Sequence, residues 1–140
     1  MATVADMLEN LKALDIKKEA LVSIAATSEK ILDLNREQLL HGKRSDGTTM
    51  PNYSKASVEV YGKPAGPILL YDTGRFQQSF KLDVGSSKIE FLSDDLHDLK
   101  KRYGDNIFGL GATNQEYYNQ EVFLPEFSQK IESQTGLKIK

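Results

Sequence analysis

Residues 79–92, SFKLDVGSSKIEFL, decide the fold. Phe80, Leu82 and Val84 alternate with Lys81 and Asp83, which is the period of a half-buried strand. Gly85-Ser86-Ser87 is a turn, and Ile89, Phe91 and Leu92 form the return. The expectation is an antiparallel hairpin, Ser79–Val84 with Lys88–Leu92. Upstream, Ile68-Leu69-Leu70-Tyr71 is a short apolar run expected to enter the core as a strand, broken by Asp72-Thr73-Gly74. Arg75 to Gln78 either makes one helical turn or continues as strand. Downstream, Ser93-Asp94-Asp95 opens a short helical or irregular piece with Leu96 and Leu99, ended by Tyr103-Gly104.

Both flanks read as helix. Thr3-x-x-Asp6 is a cap for a helix to about Leu14, and Asp15 is a second cap. From Ile16, small and apolar residues recur in steps of three and four at Ala20, Leu21, Ile24, Ala25, Ser28, Ile31, Leu32, Asn35 and Leu39. That stripe predicts one long helix over 15–41, about 40 Å at 1.5 Å per residue, stopped by Gly42. It is long for so small a chain, so part of its stripe is expected to face another subunit. At the other end, Thr113-x-x-Glu116 reads as a capping box for a last helix to Thr135, stopped by Gly136. Its stripe is Tyr117, Gln120, Leu124, Phe127, Ile131 and Thr135, with a kink near Pro125. Helices and strands that do not alternate as βαβ imply α+β: a long N-terminal and a C-terminal helix packed on a small antiparallel sheet.

Residues 42–67 are expected to form a long exposed polar loop on this single domain of residues 1–140. Within it, Tyr53–Tyr61 alternates like a strand at Val58 and Val60, yet Ser54 can cap a short helix.

The 140 residues hold 18 Lys plus Arg against 20 Asp plus Glu, a net charge of −2, which argues against a chain-wide grip on nucleic acid. Cys is absent and His occurs twice, so disulfides, thiolate metal sites and histidine relays are not expected. No signal peptide is expected, and no apolar run reaches the roughly 20 residues of a membrane span. The composition therefore suggests a soluble chain made in the cytoplasm.

Each candidate for chemistry in the sequence has a plainer reading. Asp94-Asp95-Leu96-His97-Asp98 offers carboxylates and an imidazole, but acids near a helix N-terminus account for it. His41 reads as a helix C-terminal residue on exposed carbonyls. Gly109-Leu110-Gly111 lacks the third glycine and βαβ setting of a dinucleotide loop, and reads as a tight turn beside Ile107 and Phe108. Lys43-Arg44, with Lys55 and Lys63, reads as a solvated loop or a contact for an acidic protein surface. Lys100-Lys101-Arg102 is expected to pair with the preceding acids at i,i+4. The corner at Asp72-Thr73-Gly74-Arg75-Phe76 has two compatible readings, a structural turn with Phe76 in the core and an interaction surface.

Leu70-Tyr71-Asp72-Thr73-Gly74-Arg75-Phe76, followed by Ser79-Phe80, resembles the L-x-D-T-G-x-[LF]-x-x-S corner of tailed-phage virion-morphogenesis and tail-completion proteins. Gln38 to Gly47 is similar to the Q-L-x-x-G-x-x-x-x-G lead-in of relatives from phages and prophages of Bacteroidetes-type hosts, and Tyr103 to Leu110 resembles their segment ahead of a final helix. The likeness spans about residues 30–137. An aspartic protease, which also uses Asp-Thr-Gly, is rejected because Arg75 stands where Ser, Thr or Ala belongs. The family's H-x-x-G stretch before a Pro-rich C-terminus has no counterpart here; a helix with Pro125 takes its place.

The resemblance implies assembly and no catalysis: a homo-oligomeric ring in the neck or at the tail terminus of a virion, joining portal or connector to tail tube. It implies no cofactor, no metal, no membrane and no sequence-specific nucleic acid, although DNA can pass through the ring lumen. The contact residues would be Lys43, Arg44, Asp46, Tyr53, Asp72, Thr73, Gly74, Arg75, Phe76 and Phe108. The alternative is a small protein-binding module, such as an inhibitor or immunity factor.

Overall fold

A computed structural model describes residues 3–63, 65–70, 74–85, 88–95 and 98–137. The fold is α+β. Helix α1 (Val4–Ala13) carries the expected capping box, in which Asp6 N–H donates to Thr3 Oγ1 and Thr3 N–H to Asp6 Oδ2. Asp15 caps α2 (Ile16–Ala26) by accepting from Lys18 N–H. Helix α3 (Ser28–Leu40) ends in His41, whose Nδ1 lies 2.8 Å from the Glu37 carbonyl, and in Gly42 at φ +71°.

The long helix expected over 15–41 is thus two helices, divided at Thr27. The division has a local cause and a distant one. Ser23 Oγ donates to the Glu19 carbonyl and Thr27 Oγ1 to the Ser23 carbonyl, and such back-bonding competes with helical geometry. Thr27 N–H is shared between the Ser23 and Ile24 carbonyls at 3.2 Å each, and the bond from Ile31 N–H back to Thr27 stretches to 3.4 Å. From across the molecule, the Tyr118 phenol hydrogen-bonds Thr27 Oγ1 at 2.8 Å.

The 42–67 region divides as well. Gly42 and Met50 are buried, and a bridge between Lys43 and Thr49 closes the turn that joins them. A Cβ on Gly42 would stand 2.6 Å from Pro67 Cβ, so chain crossing and left-handed backbone both require glycine there. Beyond Met50 the chain leaves on a narrow stem, with Asn52 bridged to Pro67 and Tyr53 N–H on the Gly66 carbonyl. At its end sits α4 (Lys55–Tyr61), capped by Ser54 and with no buried residue. The helical reading of Tyr53–Tyr61 therefore holds.

Ile68–Leu70 is not a strand. Ile68 N–H bonds to the Pro51 carbonyl, and the run ends at Leu70, which has φ +54° and is buried. The stem needs this segment as its return leg, so it does not join the hairpin. Gly74 (φ +81°) leads into α5 (Arg75–Gln78), one helical turn. Strands β1 (Lys81–Val84) and β2 (Ile89–Leu92) pair antiparallel, with Leu82 opposite Phe91 and Val84 opposite Ile89. Among the described residues the sheet has these two strands.

Asp95 starts α6 (Leu99–Tyr103) by accepting from the Leu99 and Lys100 N–H groups. Among the described residues the i,i+4 pairs expected for Lys100–Arg102 are not what forms: Asp95 is taken up by these backbone donors, Asp94 pairs with Arg75, and Lys100 reaches Asp105 at 3.8 Å. After a 3₁₀ turn at Asp105–Ile107 the last helical region begins at α7 (Ala112–Tyr117), with Gly111 at the cap position. The Thr113–Glu116 box does not form, because the helix has already started. Gly111 N–H is satisfied instead by Gln38 Oε1 at 2.6 Å. A π-helical stretch, Tyr118–Phe123, then leads into α8 (Leu124–Thr135), which stops at Gly136 with φ +79°.

Where a kink is expected near Pro125, the helix has this π-helical stretch just before it. Proline has no N–H to return to the preceding turn, and wider turns just before it absorb the mismatch. The register changes as a result. Tyr118, and not Tyr117, points inward, followed by Phe123, Phe127, Ile131 and Thr135: one step of five, then steps of four. Phe123 stacks on Phe127 at 5.4 Å and tilts against Tyr118 at 6.2 Å.

The core joins Leu32 and Leu39 of α3 to Met50, Leu70, Phe80 and Ile107. Two amides of α3 lock the 107–111 segment over it. Asn35 Nδ2 donates to the Ile107 carbonyl and its Oδ1 accepts from Gly109 N–H; Gln38 Nε2 donates to the Gly109 carbonyl. Among the described residues, every buried side-chain polar atom has a partner.

Candidate interaction surface

The corner after Gly74 is built from both sides. Ser79 Oγ donates to the Phe76 carbonyl at 2.6 Å and accepts from Asp94 N–H at 2.8 Å, fixing the end of β2 against α5. Arg75 lies outside this turn, and its Nε and Nη2 both donate to Asp94 Oδ2, at 3.2 and 2.9 Å. An ion pair so exposed contributes about 0–1 kcal/mol to folding. Phe76 points the other way. It meets Phe80 edge-on at 5.0 Å, and Phe108 lies 5.3 Å from Phe80 and 6.0 Å from Phe91. Phe76 and Phe108 therefore sit in one aromatic cluster against the core, with Phe108 still partly open at its edge. Gly74 is buried at the foot of the corner; Asp72 and Thr73 lie outside the described residues.

The 43–49 turn is a second, separate place. Arg44 is held on three sides: Nε donates to Thr48 Oγ1, Nη2 to the Thr49 carbonyl, and Nη1 to the Tyr103 carbonyl at the end of α6. Asp46 accepts from Thr48 N–H and Oγ1, and from Asn106 Nδ2. Those Thr48 bonds hold its carboxyl below the usual carboxylate range. Lys43 Nζ donates to Thr49 Oγ1 at 2.6 Å. The cationic pair read from sequence as a solvated loop or a contact for an acidic protein surface is thus largely committed to closing its own turn. Tyr53 is half-buried at the arm's stem, with Lys63 Nζ 6.0 Å from its ring.

What the side-chain geometry leaves open is apolar surface. Helix α1 buries no residue, and Val4, Leu8 and Leu11 share one exposed face, Val4 at 82 %. The arm ends in Val60 and Tyr61, the latter 75 % exposed. Tyr117 and Leu124 are turned out by the π stretch, at 52 % and 41 %. These surfaces are what sequence reasoning missed, although the step of five from Tyr118 to Phe123 is visible in the sequence.

Apolar grooves lie beside the hairpin. One, of about 470 Å³, runs along α2 over Leu21, Val22, Ala25 and Val84; a smaller one, about 210 Å³, is lined by Ile31, Leu82 and Phe91 among others. Among the described residues no three His, Asp or Glu side chains gather as metal ligands, and no helix is long and apolar enough to cross a membrane. His97 lies outside the described residues, while Asp95 is occupied by backbone donors. No family model, no curated protein and no solved structure matches this chain.

Proposed function

We propose that this chain is a structural protein of a tailed bacteriophage, forming a homo-oligomeric ring in the neck or at the tail terminus that joins the head connector to the tail tube. One observation supports the reading above the rest: apolar side chains at helical spacing on α1, Val4, Leu8 and Leu11, stand exposed, and the core forms without them. Contiguous apolar surface of this kind marks contacts with other chains. A narrow-stemmed arm ending in Val60 and Tyr61 suits reaching a neighbour. The Asp72–Phe76 corner supplies the family resemblance, and its outward residue, Arg75, rests on Asp94 where a partner can meet it.

The test is to purify particles of the phage or induced prophage whose genome encodes the chain, and to identify their proteins by mass spectrometry. The expected result is the chain in intact particles, at several copies per portal ring. Its absence from particles, with one soluble host protein recovered instead in a pull-down, would favour the inhibitor or immunity reading.

A further inference from the structure

The two edges of the hairpin are not alike. Helices α2 and α3 pack along β1, while β2 has no comparable neighbour on its far side among the described residues. An open cleft of about 450 Å³ lies there, lined by Lys88, Glu90 and Phe91 and by Lys100, Asp105 and Phe108. The turn fixes which backbone groups face it. Gly85 N–H donates to the Lys88 carbonyl, so these residues form a hydrogen-bonded pair. In an antiparallel ladder such pairs alternate with non-bonded ones. Asp83–Glu90 and Lys81–Leu92 are therefore bonded across the hairpin, and Val84–Ile89 and Leu82–Phe91 are not. The N–H and C=O groups of Ile89 and Phe91 point away from β1, and among the described residues they make no hydrogen bond. Lys88 and Glu90 are ion-paired with one another on the face of the strand opposite Phe91.

We propose that β2 of one copy pairs antiparallel with β2 of a second copy about a two-fold axis at Ile89, joining two hairpins into one four-stranded sheet. A second copy fits this edge because Lys88-Ile89-Glu90 is complementary to itself. With Ile89 opposite Ile89, each Lys88 faces the Glu90 of the other copy, and the two Ile89 residues exchange both of their outward hydrogen bonds. Two neighbouring registers use the same outward groups. One sets Glu90 against Glu90, like charges directly opposite; the other sets Glu90 against Leu92 and forms no ion pair. Charges on an edge strand discourage indiscriminate pairing, and this pattern admits one register. Ile89, 41 % exposed, is covered by its counterpart. A two-fold contact closes on itself and cannot propagate a ring, so this pairing is additional to any ring contact and does not depend on one.

The experiment uses charge reversal on the full chain, read by sedimentation velocity. Lys88→Glu sets two carboxylates against each other at both ends of the pair, and Glu90→Lys sets two ammonium groups. Each single variant is expected to self-associate roughly tenfold more weakly than wild type. An equimolar mixture of the two restores every opposite-charge contact and is expected to form a mixed pair about as tight as the wild-type pair. Both side chains are exposed, and thermal melts would confirm that each variant folds. Because the chain has no native cysteine, cross-linking gives a second readout. Hydrogen-bonded partners lie about 5.5 Å apart at Cα, within disulfide reach, so Ile89→Cys is expected to oxidise to a covalent dimer far faster than Asp83→Cys on β1. Wild type that stays monomeric at millimolar concentration, single variants that associate like wild type, a mixture no tighter than either variant alone, or equal cross-linking at 83 and 89 would overturn the pairing. Virion content tests the ring reading separately: pairing in a chain absent from particles removes only the phage role, and a virion protein that fails these tests loses only the pairing.

Discussion

Helices α1 and α3 are both amphipathic, yet they have opposite fates. Helix α3 buries Ile31, Leu32, Asn35, Gln38 and Leu39, while α1 buries nothing. The difference lies in what arrives from elsewhere in the chain. Met50, Phe80 and Ile107 converge on α3, whereas α1 meets the body chiefly along α8 among the described residues, with Val4, Leu8 and Leu11 left open. An apolar stripe states that cover is required without stating which chain supplies it.

Truncation separates the two most sharply. Leu39→Ala, at a fully buried position, should cost about 2–5 kcal/mol in urea unfolding. Leu8→Ala should stay within about 0.5 kcal/mol in the isolated subunit. A comparable loss at both positions would mean that α1 belongs to the subunit's own core. A smaller effect is expected at the amides. Asn35→Ala strands the Ile107 carbonyl and the Gly109 N–H, and each buried group left without its partner costs about 1–3 kcal/mol. A change below half a unit would show that water replaces the amide and that the 107–111 segment is not locked to α3.

Acid gives the gentlest separation. The backbone N–H of Thr3, followed by its hydroxyl, lowers the pKa of Asp6 from the ordinary 3.8. A carboxyl depressed in the folded state stabilises above its unfolded-state value, and that contribution is lost as pH falls through the folded-state value. Amide exchange in α1 should therefore accelerate below the ordinary carboxylate range before α3 responds. Equal midpoints in the two helices would contradict an independent cap.

How much could be read beforehand follows the range of each interaction. The caps at Thr3, Asp15 and Ser54, the stops at Gly42 and Gly136, and the hairpin all depend on neighbours within a few positions, and they were legible. Thr27 was not, because a hydroxyl 91 positions away completes the break there. Nor was the fate of Ile68–Leu70, an apolar run whose partner is the arm's stem. Asn35 stood in the predicted stripe as a polar exception, and that exception was the sign of its bonds to the 107–111 segment. At the candidate surface, sequence identified Arg44 and Arg75 as cations but could not assign them. One closes its own turn from three directions, and the other leans outward on Asp94.

The π stretch before Pro125 makes the last helix a two-part screw with a phase offset between its threads. The lower thread, from Phe127 to Thr135, is anchored inside, so the bearing of everything above it is set by one residue's worth of extra winding. Winding the same residues as regular α-helix would swing the upper thread by about a quarter turn and carry Tyr118 away from Thr27, whereas removing a single position between Tyr118 and Phe123 would turn the step of five into a step of four and keep both threads in phase. The side chains offered to the outside world are thus indexed by the winding of this stretch as much as by residue type.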